Sequence, residues 1–496
     1  MIRRCLLTVW FAVAIAAPAQ VLADRGSISQ IVAALKSQDY EGALLAAKAA
    51  EQRAPRDPRL WTLEGIAFSG KKDDSLALAA YRHALELAPD YGPALKAEAR
   101  LLYQSQDKQV DTVLRKLIRM DPSDHTAHEM LAVSEARQNA CKSALQEFEY
   151  AKDAVDSHAD SLQWFGYCLM QEKQFAQATA AFSRLMELAP NELAPRYNLA
   201  LVQTLAHREA DAVQTMQPLI TVKAPDIDVL SLASEAYEAM GDTPKAVELL
   251  QQALRLDSQN PDLYVRFAGL CLSHNSLDAG LNIVQAGIER IPNDASLYIT
   301  RGLLYGQLGR YSDAEQDLRT AEKLNPDQTS SSFALAATSV QHGDLDEGLR
   351  TVRRQLESHP DDPALHYMLA KILVTQGARP GSPAFDEALR SAMTTVRLKP
   401  DYPAGHDLLA SLYLDAGNND LTAAQSRMAL SLDSSDQSAL YHLIAALRSS
   451  GNKAEVQDLV KRLLSLQSKG SEQAAGHKGY KIMQQAPGEV ERVDAP

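Results

Sequence analysis

Histidine and cysteine are the residues of this 496-residue chain most able to do chemistry, and their spacing decides which chemistry that is. His125 and His128 lie three apart, a spacing that puts both rings on one helix face and would let them share a metal. Thr126 and Ala127 between them add no ligand, and no third ligand lies near in sequence, so the pair is read as solvated helix residues. The remaining histidines are scattered singly. No phosphate-cradling glycine loop, dinucleotide fingerprint, Gly-x-Ser-x-Gly elbow or His-Glu-x-x-His helix is present. An enzyme is therefore not expected, and no catalytic residue, cofactor or metal is assigned.

The elements that would position any functional side chain follow from a 34-residue unit, cleanest at 295–328, ASLYITRGLLYGQLGRYSDAEQDLRTAEKLNPDQ. Tyr298, Gly302 and Tyr305 mark one face of a first helix, and Gly309 supplies a left-handed residue that stops it. Ser312 and Glu315 predict a capping box for a second helix. Ala314, Leu318 and Ala321 share a face of that helix, and Pro326 forbids its continuation. Small residues at Gly302 and Ala314 allow close helix approach while large ones fill the seam. The unit resembles the tetratricopeptide repeat (TPR), with Arg301 and Leu318 standing where that signature has leucine and an aromatic. The resemblance implies an all-α fold, a right-handed superhelical solenoid of about thirteen helical hairpins.

Unit starts fall near 24, 58, 91, 125, 159, 193, 227, 261, 295, 329, 363, 403 and 437. Closing prolines recur in that frame, among them Pro55, Pro89, Pro122, Pro292, Pro326, Pro360 and Pro400. The copy at 91–124 is the poorest, because Glu98 stands where a small residue belongs, and a splayed hairpin is expected there. A longer, punctuated turn at 377–383 reads as a tolerated surface loop. Residues 24–470 are thus one elongated array whose last stripe, Val456, Leu459, Val460 and Leu463 among charges, suits a cap. Residues 471–496 lose periodicity and read as a disordered tail.

Before the array, residues 1–23 carry Arg3 and Arg4, an apolar run from Cys5 to Ala17, and Val21 and Ala23 before a cut, which is the pattern of a signal peptide. Export to the periplasm or outside the cell is expected. Arg3-Arg4-x-Leu6-Leu7 loosely resembles a twin-arginine signal, but two arginines are also normal for the general route, which is the expected one. No later stretch is long and apolar enough for a membrane span. The formal charge of −13, or −15 once Arg3 and Arg4 are removed, argues against a nucleic-acid groove, which needs a basic face. A monomer is expected.

By the same resemblance the first helices line an inner groove, into which positions two, five, nine, twelve and thirteen of each unit point. Gln163 and Tyr167, Tyr197, Phe333, Tyr367, Lys371 and Tyr441 stand at such positions, with Trp164 and Asn198 at the neighbouring sixth. Rings and amides of this kind suit extended or helical peptides, although aromatics at helical spacing also serve as inter-repeat packing. The carboxylate clamp of some TPR cochaperones is absent, since Gln163, Tyr167, Asp228 and Leu232 flank Asn198 where Lys, Asn, Lys and Arg would be wanted. The architecture would also let Cys141 meet Cys168, with Cys271 three units away. A disulfide or three buried small hydrophobes are the two readings. The function expected is a non-catalytic scaffold or adaptor binding proteins or peptides. The alternative is an accessory subunit of an envelope biosynthesis, secretion or glycosyltransferase-type machine.

Overall fold

In the computed structural model, which describes residues 23, 25–450 and 453–476, the way each first helix closes sets the architecture. The residue just beyond the turn donates its N–H to the carbonyl five positions back, as Asp73 does to Phe68 (3.0 Å) and Arg310 to Tyr305 (2.9 Å). This closure takes up helix-end carbonyls and requires a left-handed residue before the donor. Such residues stand at Gln38, Lys72, Gln106, Asn139, Lys173 and His207, then at Gly241, Asn275, Gly309, Gly343, Gly377 and Gly417. The chain reverses at each of them, and a second helix packs back on the first.

The described residues are all-helical. Of their twenty-seven helices, the short Lys152–Val155 is an extra turn and the others pair as thirteen hairpins, from Arg25–Lys36 with Tyr40–Glu51 to Gln437–Ser450 with Lys453–Gly476. Within a hairpin the approach is close at one small residue. A Cβ on Gly65 would meet the Tyr81 ring at 2.4 Å, one on Gly166 the Phe182 ring at 2.7 Å, and one on Gly302 the Leu318 side chain at 2.9 Å. Between hairpins a second device recurs. The fourth residue of a first helix donates to a loop carbonyl six positions back: Trp61 to Pro55 (2.9 Å), Tyr298 to Pro292 (3.1 Å), His366 to Pro360 (2.8 Å) and His406 to Pro400 (2.9 Å). Indole, phenol and imidazole interchange there because each carries one N–H or O–H at the same reach.

The hairpins group into two packing units, one ending at Lys223 and the other beginning at Ala224. Pro218 lies inside Glu209–Ile220 and Pro225 follows the irregular residues 221–224, so the helical ladder is interrupted at this point. The largest core of the first unit surrounds Phe148, Phe182 and Leu162, and that of the second surrounds Leu365, Ile372 and Phe385.

Several local expectations change. Ser312 and Glu315 form no capping box: the helix is Tyr311–Leu324, its N-cap is Arg310 without a side-chain cap bond, and Glu315 instead holds Arg319 (2.7 Å). The hairpin of Gly92–Gln104 and Val110–Met120 is the most loosely paired of the thirteen, as expected, although Leu95, Leu102, Leu114 and Leu117 still share one core. Glu98 is buried beside them and accepts from Arg82 (3.1 Å), so a charge partner replaces the small residue. In the 377–383 turn Ser382 caps the following helix through the Phe385 N–H (3.2 Å). The last helix continues to Gly476, past the expected boundary at 470, and Val456, Leu459 and Leu463 pack on the preceding core. Residues 477–496, and all but Ala23 of the expected signal peptide 1–23, lie outside the described residues. No helix of the described residues is long and apolar enough to cross a membrane.

Candidate protein-binding surface

In the first unit, the first helix Ala159–Gln171 presents Gln163, Trp164 and Tyr167 together, each half-buried. Trp164 and Tyr167 meet edge to face at 5.7 Å, and both also rest on the core, so they are anchored rings with one open side. The Tyr167 hydroxyl donates to Asn139 Oδ1 at 3.3 Å, which ties the ring to the preceding turn. On the next first helix, Leu193–Leu205, Asn198 donates to Gln163 Oε1 at 3.2 Å, so the two amides face each other across the hairpin joint. Tyr197 is half-buried beside Asn198.

A charged rim adjoins these residues. Arg137 donates to Asp160 (2.9 Å) and its guanidinium lies 5.0 Å over the Tyr103 ring, while the Tyr103 hydroxyl donates to the same carboxylate (3.2 Å). Burial pushes the Tyr103 hydroxyl up, with Asp160 adding to the shift, so the phenol stays protonated and keeps donating. Aromatic and amide positions guided the sequence reading, and these three residues escaped it. They occupy the same inward positions, two and thirteen, and a search for paired charges in that frame would have found them.

The second unit carries a looser group. Tyr367 packs against Tyr402 at 5.3 Å, Lys371 lies 5.7 Å over Tyr367, and Lys399 lies 5.3 Å over Tyr402. Burial raises the Tyr367 hydroxyl, with Asp407 and Asp436 contributing. One hairpin further, His442 pairs with Asp407 (2.7 Å) and Tyr441 is 61% exposed. Phe333 sits apart from these, packed against the core with Leu365 and Met368, so it serves packing more than recognition. Lys371, Lys399 and Tyr441 are the exposed members of the group.

The residues singled out for chemistry have structural partners. Cys141 and Cys168 form a disulfide, Cα to Cα 4.9 Å, joining the start of Cys141–Tyr150 to the last turn of Ala159–Gln171, and Cys271 is buried and free. The reading of both histidines as solvated does not hold for His128, which is 4% exposed. Its Nε2 faces the Pro122 carbonyl (3.1 Å) and its Nδ1 faces Glu147 (2.6 Å), because it fills the loop-clasp position described above. His125 is exposed and reaches the Tyr150 carbonyl (2.6 Å). Among the described residues no three His, Cys, Asp or Glu side chains are grouped to hold a metal.

Models of the tetratricopeptide repeat match residues 29–92, 237–300 and 307–372. The chain is similar to the TPR repeat-containing protein MJ1428 of Methanocaldococcus jannaschii, 22% identical over 52% of this chain and 50% of that protein. It is also similar to the BBSome complex member BBS4 of Bos taurus, 23% identical over 42% of this chain and 40% of that protein. It thus spans half or less of the length of these relatives. Among solved structures it resembles yeast Tom70, with 16% identity, coverage of 91% of this chain and 95% of that one, and a TM-score of 0.44.

Proposed function

We propose that this array of tetratricopeptide hairpins is an exported, non-catalytic scaffold or adaptor that holds partner proteins or peptides along the face formed by its first helices. One observation carries the reading. On that face Trp164 and Tyr167 are fixed from behind by the core, and Tyr167 from the side by Asn139, and both rings are half-buried near the Gln163–Asn198 amides. Rings held rigid lose little entropy on binding, and amides can pair with a peptide backbone. Proteins built from these repeats are interaction scaffolds, and a stack of first helices offers this kind of continuous surface. Export is supported by the basic, apolar and small-residue pattern of residues 1–23 and by the Cys141–Cys168 disulfide, a bond that persists in oxidising compartments.

The test is capture of periplasmic and secreted proteins on the immobilised chain. Replacing Trp164, Tyr167 and Tyr197 together by Ala should weaken capture at least tenfold, since anchor aromatics contribute roughly 2 kcal/mol each, not additively. A control altering Lys245 and Glu248, an ion pair on a second helix (2.8 Å), should capture normally. Thermal melts accompany both, because Trp164 also touches the core. A folded triple variant that captures as well as wild type would remove this face from the reading. If the resident partner belongs to an envelope synthesis or secretion machine, synthase, channel or pilus components will dominate the captured set.

A further inference from the structure

In the second unit, between the first helices Ile227–Ala239 and Pro261–Ser273, lies a cavity of about 280 Å³. Two features keep it open. Gly269 sits mid-helix, where glycine costs about 1 kcal/mol against alanine, yet a Cβ built there meets nothing within 4 Å. Ser231 is only 6% exposed, and its hydroxyl lines the cavity without a hydrogen-bond partner among the described residues. The neighbouring hydroxyls are satisfied, Ser234 donating to the Ala246 carbonyl and Ser273 to that of Leu270, both at 2.9 Å. The Ser231 hydroxyl opens onto the cavity, where it can bond the polar group of a ligand.

The lining fixes the kind of group. Leu250 and Leu270, both buried, form an apolar floor. Glu235 and Glu238 supply two carboxylates against the single guanidinium of Arg266, which pairs with Glu235. Glu238 accepts from Thr243 (2.8 Å) and faces His274 (2.7 Å), and its oxygens retain further lone pairs. At about 280 Å³ the cavity has room for one long side chain. An aliphatic stem on the leucine floor with a cationic head among Ser231, Glu235 and Glu238 satisfies every surface. Three ammonium donors match three acceptors, whereas a planar fork would repeat the contact that Arg266 already makes. We infer that this cavity receives a lysine side chain from a peptide lying along the first-helix face, a reading that rests on that face being the binding surface.

Peptides selected by display on the full chain supply the probe. The selected set should share a lysine, and replacing that lysine by norleucine should weaken binding at least tenfold. On Gly269→Leu, which fills open space and should melt at or above the wild-type temperature, the same replacement should change nothing. Arg266→Gln should tighten the lysine peptide by freeing Glu235. Selected peptides without a common lysine, or a lysine preference that survives in Gly269→Leu, would overturn the cavity assignment while leaving the face as a binding surface. If display yields no binder and partner capture is also insensitive to Trp164, Tyr167 and Tyr197, both readings fall together.

Discussion

In the first six hairpins the left-handed residue that closes the first helix is Gln38, Lys72, Gln106, Asn139, Lys173 or His207, whereas in the next six it is glycine everywhere except Asn275. Buried charge divides the same way. Asp57, Glu98, Glu129 and Glu135 lie buried in the first unit, each met by a donor: Arg59, Arg82, His158 and Arg115 respectively. Among the described residues of the second unit the one buried carboxylate is Asp317, and hydroxyls take most of the other buried polar positions. The first unit also holds the disulfide, while the cysteine of the second is buried and free. The same backbone turn is thus obtained with and without glycine, so closure by the helix-end hydrogen bonds dictates it. A side chain in that conformation costs roughly 1–2 kcal/mol, which the first unit accepts six times.

The sharpest test of buried charge lies in the unit that has least of it. Arg301, at the motif's leucine position, makes two 2.7 Å bonds to Asp317. Arg301→Leu alone should destabilise the second unit by about 3–5 kcal/mol in denaturant unfolding, by stranding the carboxylate. Adding Asp317→Leu should return stability to within about 1 kcal/mol of wild type or above it. A small cost for the single change would mean that buried charge does not separate the units. Next in size, Cys141→Ser with Cys168→Ser should lower the first unit's stability by about 3 kcal/mol and leave the second unit's transition in place. Equal loss in both would dissolve the distinction.

Turn chemistry should give opposite signs of about 1 kcal/mol each: Lys72→Gly stabilises, and Gly309→Ala destabilises. Like signs would show that these turns are not equivalent. The smallest effect is a pH dependence confined to the first unit. Glu51 is pushed up to about 7 from an ordinary 4.5, chiefly by burial and then by Glu64, against the pull of Lys48. Its proton is held more tightly folded than unfolded, so this stabilisation is complete below about pH 4.5 and falls as pH rises toward 7. Glu51→Gln should flatten that slope in urea midpoints taken at pH 5, 6 and 8, and an unchanged slope would assign it to another group.

What the sequence by itself determined was everything that depends on contacts within one hairpin. A 34-residue period of small and large residues dictates two helices and their shared seam, because Gly302 and Leu318, or Gly166 and Phe182, need no distant partner to meet. The all-helical class was legible for that reason, and so was the residue type at many first-helix positions. The tertiary structure decided what depends on the neighbouring hairpin. It turned Phe333 toward the core while leaving Tyr441 in solvent, although both hold the same position in the frame. Cys141 was paired with Cys168, His128 with Glu147 and a loop carbonyl, and Glu98 with Arg82. The cavity beside Gly269 also arose there, between two helices roughly one period apart. Exposure, pairing and open space are set by how adjacent hairpins slide over one another, and a periodic pattern repeats the hairpin without stating that offset.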